Sequence, residues 1–234
     1  MPLSEKTRDE AREIIARYPQ KRSALLPMLH LVQSEEGYVS SEGVALCAEE
    51  LGLTMAEVGA VATFYTMYKR RPGGKYLVSV CTNTLCGMLG GDEIFAELKE
   101  HLGIGHDETT DDGEITLEHA ECLAACDYAP VVTINYEFFD QQTPESAHQL
   151  ILDLRGGKNP MPTRGAPLCT FKQIERQLAG FYDEESGDGN DTAVHEGPAG
   201  DPTLVGVRLA AERGETAPDY DPNSPIPAQQ KEGN

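Results

Sequence analysis

Two stretches of this chain carry cysteines at spacings that support chemistry: VCTNTLC, with Cys81 and Cys86, and ECLAACDYAP, with Cys122 and Cys126. Four residues separate the first pair and three the second, and 35 lie between the pairs. A thiolate is a nucleophile and a soft metal ligand, so this pattern admits a disulfide, a redox dithiol, a zinc ion or an iron-sulfur cluster. A thioredoxin-type redox pair needs CxxC, which the chain lacks. Structural zinc sites place roughly two to four residues inside each pair, commonly two, and both pairs fall toward the edge of that range. Two adjacent disulfides are geometrically possible but out of keeping with a reducing compartment. A [2Fe-2S] cluster suits the pattern best, because each iron takes two thiolates and CxxxxC is a spacing found in ferredoxins. Zinc and disulfide stay open on spacing alone.

The residues around the pairs favour the cluster. GMLGGD, directly after Cys86, supplies three glycines that let backbone N–H groups come close, and the helix that follows presents its positive end. A four-thiolate [2Fe-2S] centre carries about −2, and about −3 when reduced, so such donors lower the cost of the added electron. That chemistry is one-electron transfer and implies no substrate pocket.

Period-2 and period-3.6 patterns give the elements that must bring the pairs together. Tyr76 to Val80 reads as a strand ending at Cys81, and Ile115 to Ala120 as a second strand ending just before Cys122. Between them, Gly91 to Leu102 is an amphipathic helix with Ile94, Phe95, Leu98 and Leu102 on one face. Val131 to Asn135 with Tyr136 to Phe139 reads as a hairpin, and Thr143 to Leu154 as a closing helix with Pro144 in its first turn. Matching strand ends can place both cysteine loops at one edge, in a small α/β layer structure of which a thioredoxin-like fold is the natural candidate.

Upstream, four helices are expected: residues 4 to 18 after a Ser4 cap, 21 to 35, a third from Ser40 or Ser41 to Gly52, and a fourth from the Thr54–Glu57 capping box. Pro27 fits the second only near its start or at a kink. The fold class is therefore α+β. An N-terminal small helical domain (1–70) precedes a small thioredoxin-like α/β domain that carries the four cysteines (71–156), and a mostly unstructured tail (157–234) follows.

The tail reading rests on composition. Residues 181–234 hold 12 acidic against 3 basic residues, with 7 Gly and 6 Pro, too little apolar surface to offset the entropy of ordering. Two islands interrupt it, APLCTFKQIERQLAGF (166–181) and TLVGVRLAAERG (203–214), and such islands in a flexible tail can dock on a partner. A solvated tail without a partner is the alternative.

The net charge of −20, from 39 acidic and 19 basic residues, argues against a nucleic-acid partner. No apolar run approaches the roughly 20 residues needed to cross a bilayer, and the charged N-terminus lacks the apolar core of a signal sequence. The expectation is a cytoplasmic chain with no direct membrane insertion.

LGLTMAEVGAVATFYTMY, VCTNTLCGMLGGDEIF and ECLAACDYAPVVTIN resemble the 24 kDa, or E, subunit family of NADH:quinone oxidoreductase, respiratory complex I. The likeness runs from residue 5 to about 156, and PTRGAPLCTFKQ resembles tails of actinobacterial members. It implies a thioredoxin-like [2Fe-2S] ferredoxin in which Cys81, Cys86, Cys122 and Cys126 hold one cluster. It further implies an electron-transfer subunit of the NADH dehydrogenase module that trades single electrons with FMN. FMN and NADH are expected on a neighbouring subunit, and this chain carries no GxGxxG fingerprint for a dinucleotide. The large iron-sulfur subunit is a second expected partner. The resemblance places the chain peripherally, at the inner face of the cell membrane, with no independent catalysis by the isolated subunit. Two alternatives stand beside it: the equivalent diaphorase subunit of an NAD-linked hydrogenase or formate dehydrogenase, and a zinc-stapled interaction module. One departure is Ala124, where the family usually has Gly.

Other residues have plainer readings. Cys47 falls among Val44, Leu46 and Leu51 as a buried thiol, and Cys169 sits in the first island. His119, three residues before Cys122, is first a strand histidine facing solvent or a neighbour and second a group that tunes the cluster. Phe64, Tyr65 and Tyr68 read as helix packing, with a partner contact as the alternative. DETTDDGE (107–114) reads as a solvated loop.

Overall fold

The structure is a computed structural model that describes residues 3–182 and 201–216. The chain divides into two compact units, Met1–Pro198 and Ala199–Asn234. Within the second, helix α9 spans Asp201–Glu212, over the second apolar island, with Val205, Val207 and Leu209 exposed. The expectations for residues 183–200 and 217–234 lie outside the described residues.

The first unit begins with four helices: α1 (Glu5–Ala16), α2 (Leu25–Glu36), α3 (Ser41–Leu51) and α4 (Met55–Phe64). Side-chain oxygens set three of their starts. Ser4 accepts from the Thr7 amide at 3.1 Å, Ser40 from Gly43 at 2.9 Å, and Thr54 forms a reciprocal capping box with Glu57. A 3-10 turn over Lys21–Ala24 delays α2, so Pro27 falls in its first turn, where no intrahelical N–H bond is lost. Ile14, Met28, Leu29, Val32, Leu46 and Val58 form the core of this bundle.

The linker that leaves α4 is fixed by a fully buried polar side chain. Gln33 donates to the Met67 carbonyl at 2.9 Å and accepts from the Lys69 amide at 2.6 Å. Both ends of the amide are thereby satisfied, as burial requires.

A five-stranded sheet follows, in the order β2-β3-β1-β4-β5. Its strands are β1 (Tyr76–Cys81), β2 (Glu108–Thr109), β3 (Ile115–Ala120), β4 (Val132–Ile134) and β5 (Glu137–Phe139). β1 and β3 are parallel, with Val80 opposite His119 and Cys81 opposite Ala120; the other pairings are antiparallel. Helices α5 (Thr84–Met88) and α6 (Gly91–Leu102) connect β1 to β3 by way of the β2 edge, and α7 (Pro144–Arg155) follows β5. Val78, Val80, Ile115 and Leu117 face α6 and α7 and pack with Ile94, Leu98 and Ile151. On the opposite face, Ser79 and Thr116 are buried and Glu118 accepts from Ser79 at 2.6 Å, so each strand alternates two kinds of neighbour.

Two differences from the sequence reading follow from long-range contacts. β2 lies inside the run expected to be a solvated loop: Thr109 pairs with Thr116 and Glu108 with Leu117. A two-residue edge strand with one wet face leaves almost no periodic signal. The first apolar island forms a further helix, α8 (Phe171–Leu178), capped by Thr170, and it packs on α2 of the same chain. Phe171, Glu175 and Ala179 are buried there.

Candidate functional site

The two cysteine pairs meet at the C-terminal ends of β1 and β3. Cys81 is the last residue of β1, and its amide donates to the Val131 carbonyl at 3.0 Å. Cys86 lies in α5, directly after that strand. Both are buried, and with Ala125 and Val131 they form a small apolar cluster of their own. Cys122 and Cys126 sit in the loop after β3, exposed, with their sulfurs 3.5 Å apart.

The electrostatics join the pairs. Burial, then a hydrogen bond with the Cys81 thiol, push the Cys86 thiol up to about 11, and the Cys81 and Cys126 sulfurs add to the rise. The Val131 amide acts in the opposite sense. Cys126 is raised first by its hydrogen bond with Cys122 and then by the charge of that sulfur, with burial and Cys81 contributing less. Sulfurs that oppose one another's ionisation call for a cation if all are to become thiolates, and binding such a cation releases protons.

The surrounding backbone suits a sulfur-rich guest. Gly91 opens α6 beside the carbonyls of Cys81 and Cys86, where a Cβ would collide with both. The Ala124 amide donates to Cys122 Sγ at 3.4 Å. Ala124 itself adopts φ +59°, the left-handed region in which an L-residue costs roughly 1–2 kcal/mol and glycine nothing. The departure noted in the sequence is therefore a matter of backbone conformation more than of methyl volume. Among the described residues, no group of three or more His, Cys, Asp or Glu converges on a single-ion position. The cysteines stand as two pairs close enough for their charges to interact, and a two-iron cluster asks for one pair per iron. The donor set fits that group.

A cleft of about 490 Å³ opens beside Cys122, bordered by Tyr65, Lys69, Glu118, His119 and Tyr136. Lys69 is buried, and its ammonium pairs with Glu118 and, at 3.4 Å, with Asp107. His119 is exposed, its ring 4.1 Å from that of His106 and edge-on to Phe95 at 5.8 Å. Burial and the neighbouring His119 lower the pKa of His106.

Cys47 is fully buried in the helical core, and desolvation pushes its thiol up to about 12. Cys169 lies between the sheet and α8, where its carbonyl accepts from Asn135 Nδ2 at 2.6 Å. Neither belongs to the four-cysteine site. The aromatic group at the end of α4 divides: Tyr68 is buried and donates to the Leu26 carbonyl at 3.0 Å, whereas Phe64 is 77% exposed.

Residues 11–155 match the sequence profile of the thioredoxin-like [2Fe-2S] ferredoxins. The chain belongs to that family. It is 59% identical over 209 residues to the E subunit of NADH-quinone oxidoreductase from Mycobacterium tuberculosis, a match covering 89% of this chain and 81% of the relative. Subunit 2 of the same enzyme from Thermus thermophilus is 39% identical over 153 residues, 64% of this chain and 84% of the relative. The mycobacterial match is long enough to reach well past the family profile and take in α8. Among solved structures, an NAD+-reducing [NiFe]-hydrogenase in its air-oxidized state aligns with a TM-score of 0.51 at 20% identity. That alignment covers 57% of this chain and 23% of the hydrogenase chain, and it is a likeness of fold. As a thioredoxin-like [2Fe-2S] ferredoxin homologous to the E subunits of an oxidoreductase, the chain is an iron-sulfur protein of electron transfer. Among the described residues, no helix is long and apolar enough to cross a membrane.

Proposed function

We propose that Cys81, Cys86, Cys122 and Cys126 hold one [2Fe-2S] cluster, the first two on one iron and the last two on the other. The chain then serves as the electron-transfer subunit of the NADH dehydrogenase module of NADH-quinone oxidoreductase. Its electron partner is FMN on a neighbouring subunit that also binds NADH, and the large iron-sulfur subunit is a further neighbour. In this reading the subunit sits on the cytoplasmic face of the membrane, peripherally, and its parts are residues 1–70, 71–156 and 157–234. The observation that carries the proposal is the meeting of two loop-borne cysteine pairs at the ends of two parallel strands.

When bound, such a cluster supplies a reversible one-electron couple. The residues of the chain set the conditions for it. Cys81 and Cys86 offer buried sulfurs whose ionisation needs a cation, while Cys122 and Cys126 face outward, the side from which a partner can approach. Gly91 lets the start of α6 pack tightly on the backbone of Cys81 and Cys86, and the Ala124 amide offsets charge on Cys122. The exposed Phe64, Met88 and Leu89 are apolar surface for a partner to cover.

The diaphorase module of an NAD-linked hydrogenase is the second reading, favoured by the shared fold. Both readings make NADH oxidation a property of the neighbouring subunit. The test is to purify the chain alone and together with its flavin-binding partner, then add NADH. Reduction of the cluster only in the two-subunit preparation is expected; reduction in the isolated chain would overturn the assignment of NADH and FMN to the partner.

A further inference from the structure

The ring of Phe138 packs against the cluster of side chains formed by Cys81, Cys86, Ala125 and Val131. The Arg164 guanidinium stacks on that ring, its central carbon 4.9 Å from the centroid. Arg164 comes from the segment that follows α7, outside residues 11–155 of the family match.

We infer that Arg164 is a positioning residue for the iron-sulfur site, holding Phe138 against the buried cysteine pair; this rests on the four-cysteine reading above. Its seat is built on several sides. Arg164 forms an antiparallel bridge with Phe138, extending the sheet beyond β5. The preceding Thr163 amide donates to the Phe138 carbonyl at 2.8 Å, and the Asp140 amide donates back to Thr163 Oγ1 at 3.0 Å. One guanidinium nitrogen donates to Asp140 Oδ1 at 2.7 Å, in a pair whose side chains are 19% and 10% exposed. Gly165 follows at φ +102°, where a Cβ would run into the Glu137 carboxylate, and that carboxylate accepts from the Ala166 amide at 3.0 Å. The segment is therefore fastened on both sides of Arg164.

The side-chain chemistry gives the role its specificity. A planar guanidinium can lie on a ring and keep an in-plane bond to a carboxylate; an ammonium has no plane to stack. Nε of Arg164 is buried with no hydrogen-bond partner, so part of its desolvation is offset by the ring face alone. Without the guanidinium, Phe138 loses the group that covers its ring. The wall between solvent and the Cys81–Cys86 pair then loosens; groups that hydrogen-bond metal ligands are worth roughly 10–100-fold in metal affinity, and Arg164, acting through a packed ring, is set at the lower end of that range.

The experiment uses the full chain carrying its cluster and measures the rate of iron release to a chelator, with thermal unfolding of the same samples followed by far-ultraviolet dichroism. Arg164→Ala should release iron about 10-fold faster at a temperature where it is still fully folded, its unfolding temperature lowered by the loss of the Asp140 pair. Arg164→Lys should stay fast, because charge without a stacking plane does not hold the ring. Phe138→Leu should release iron at a similar rate, and the double variant no faster than either single one. Wild-type retention in Arg164→Ala, rescue by Arg164→Lys, or multiplied effects in the double variant would each overturn the inference. A wild-type chain that never acquires iron would instead remove the cluster reading beneath it.

Discussion

Glu175 is fully buried, on a helix the sequence reading assigned to a flexible tail. Its carboxylate meets His30 Nδ1 of α2 at 2.6 Å and accepts from the Tyr136 hydroxyl at 3.0 Å. One side chain thus links α8, the helical bundle and the β4–β5 turn. Glu175→Ala leaves both partners buried without an acceptor, at about 1–3 kcal/mol for each unmet group. Together the two unmet groups cost roughly 2–6 kcal/mol. The loss has a ceiling, because α8 can detach and let water reach both groups at the expense of exposing Phe171 and Ala179. We expect destabilisation of about 3–5 kcal/mol, which lowers the melting temperature of a unit this size by roughly 6–20 °C. Urea unfolding followed by far-ultraviolet dichroism measures it, with the slope showing whether α8 has also come loose. Glu175→Gln keeps an acceptor for Tyr136 and should fall between Ala and wild type. A loss under about 0.5 kcal/mol, the range of surface substitutions, would show that this contact does not hold α8 in place.

Acidification should release the same helix by another route. The Arg176 hydrogen bonds and charge hold Glu10 below its ordinary 4.5, against the opposing effect of burial. A carboxylate depressed in the folded state contributes stability that is complete above the unfolded value and is lost as pH falls through the folded one. The stability difference between wild type and Glu10→Gln should therefore be constant near pH 7 and shrink below about pH 4.5; a difference that grows on acidification would contradict this. Cys126→Ser should abolish or weaken the paramagnetic signal of the reduced protein, while Cys47→Ser leaves it intact, and equal loss at both would mean the thiols were sorted wrongly. Native Cys47 should also resist alkylation at neutral pH in a mass-spectrometric assay, since burial holds it as the thiol. Deleting residues 183–234 should spare the cluster and weaken co-purification with the flavin-binding subunit; unchanged co-purification would show that the segment does not dock there.

The meeting of the two cysteine pairs at one sheet end was legible because its information is local. Strand patterns ending at Cys81 and Ala120 place both pairs at one sheet end, and the helix over Gly91–Leu102 has the bounds its pattern suggests. The bundle was legible from caps at Ser4, Ser40 and Thr54. Contacts over long sequence separation were not legible. The chemistry of α8 appears only when Glu175 meets His30, 145 residues away. Lys69 reads as part of a basic turn until Glu118 closes on it across 49 residues. Ala124 stood out in the sequence only as a departure from the family's Gly, and its φ of +59° shows why glycine is at home there. Arg164 lies in the stretch PTRGAPLCTFKQ, whose resemblance says nothing of its role, since that lies in the ring it covers.

The central claim is that four cysteines on two loops hold one binuclear iron-sulfur centre. It is tested most directly by metal and sulfide analysis of the purified protein, together with its optical and paramagnetic spectra after dithionite. A red-brown protein with about two irons and two sulfides per chain and a paramagnetic signal on reduction is expected. A colourless protein holding one zinc and giving no such signal would contradict it.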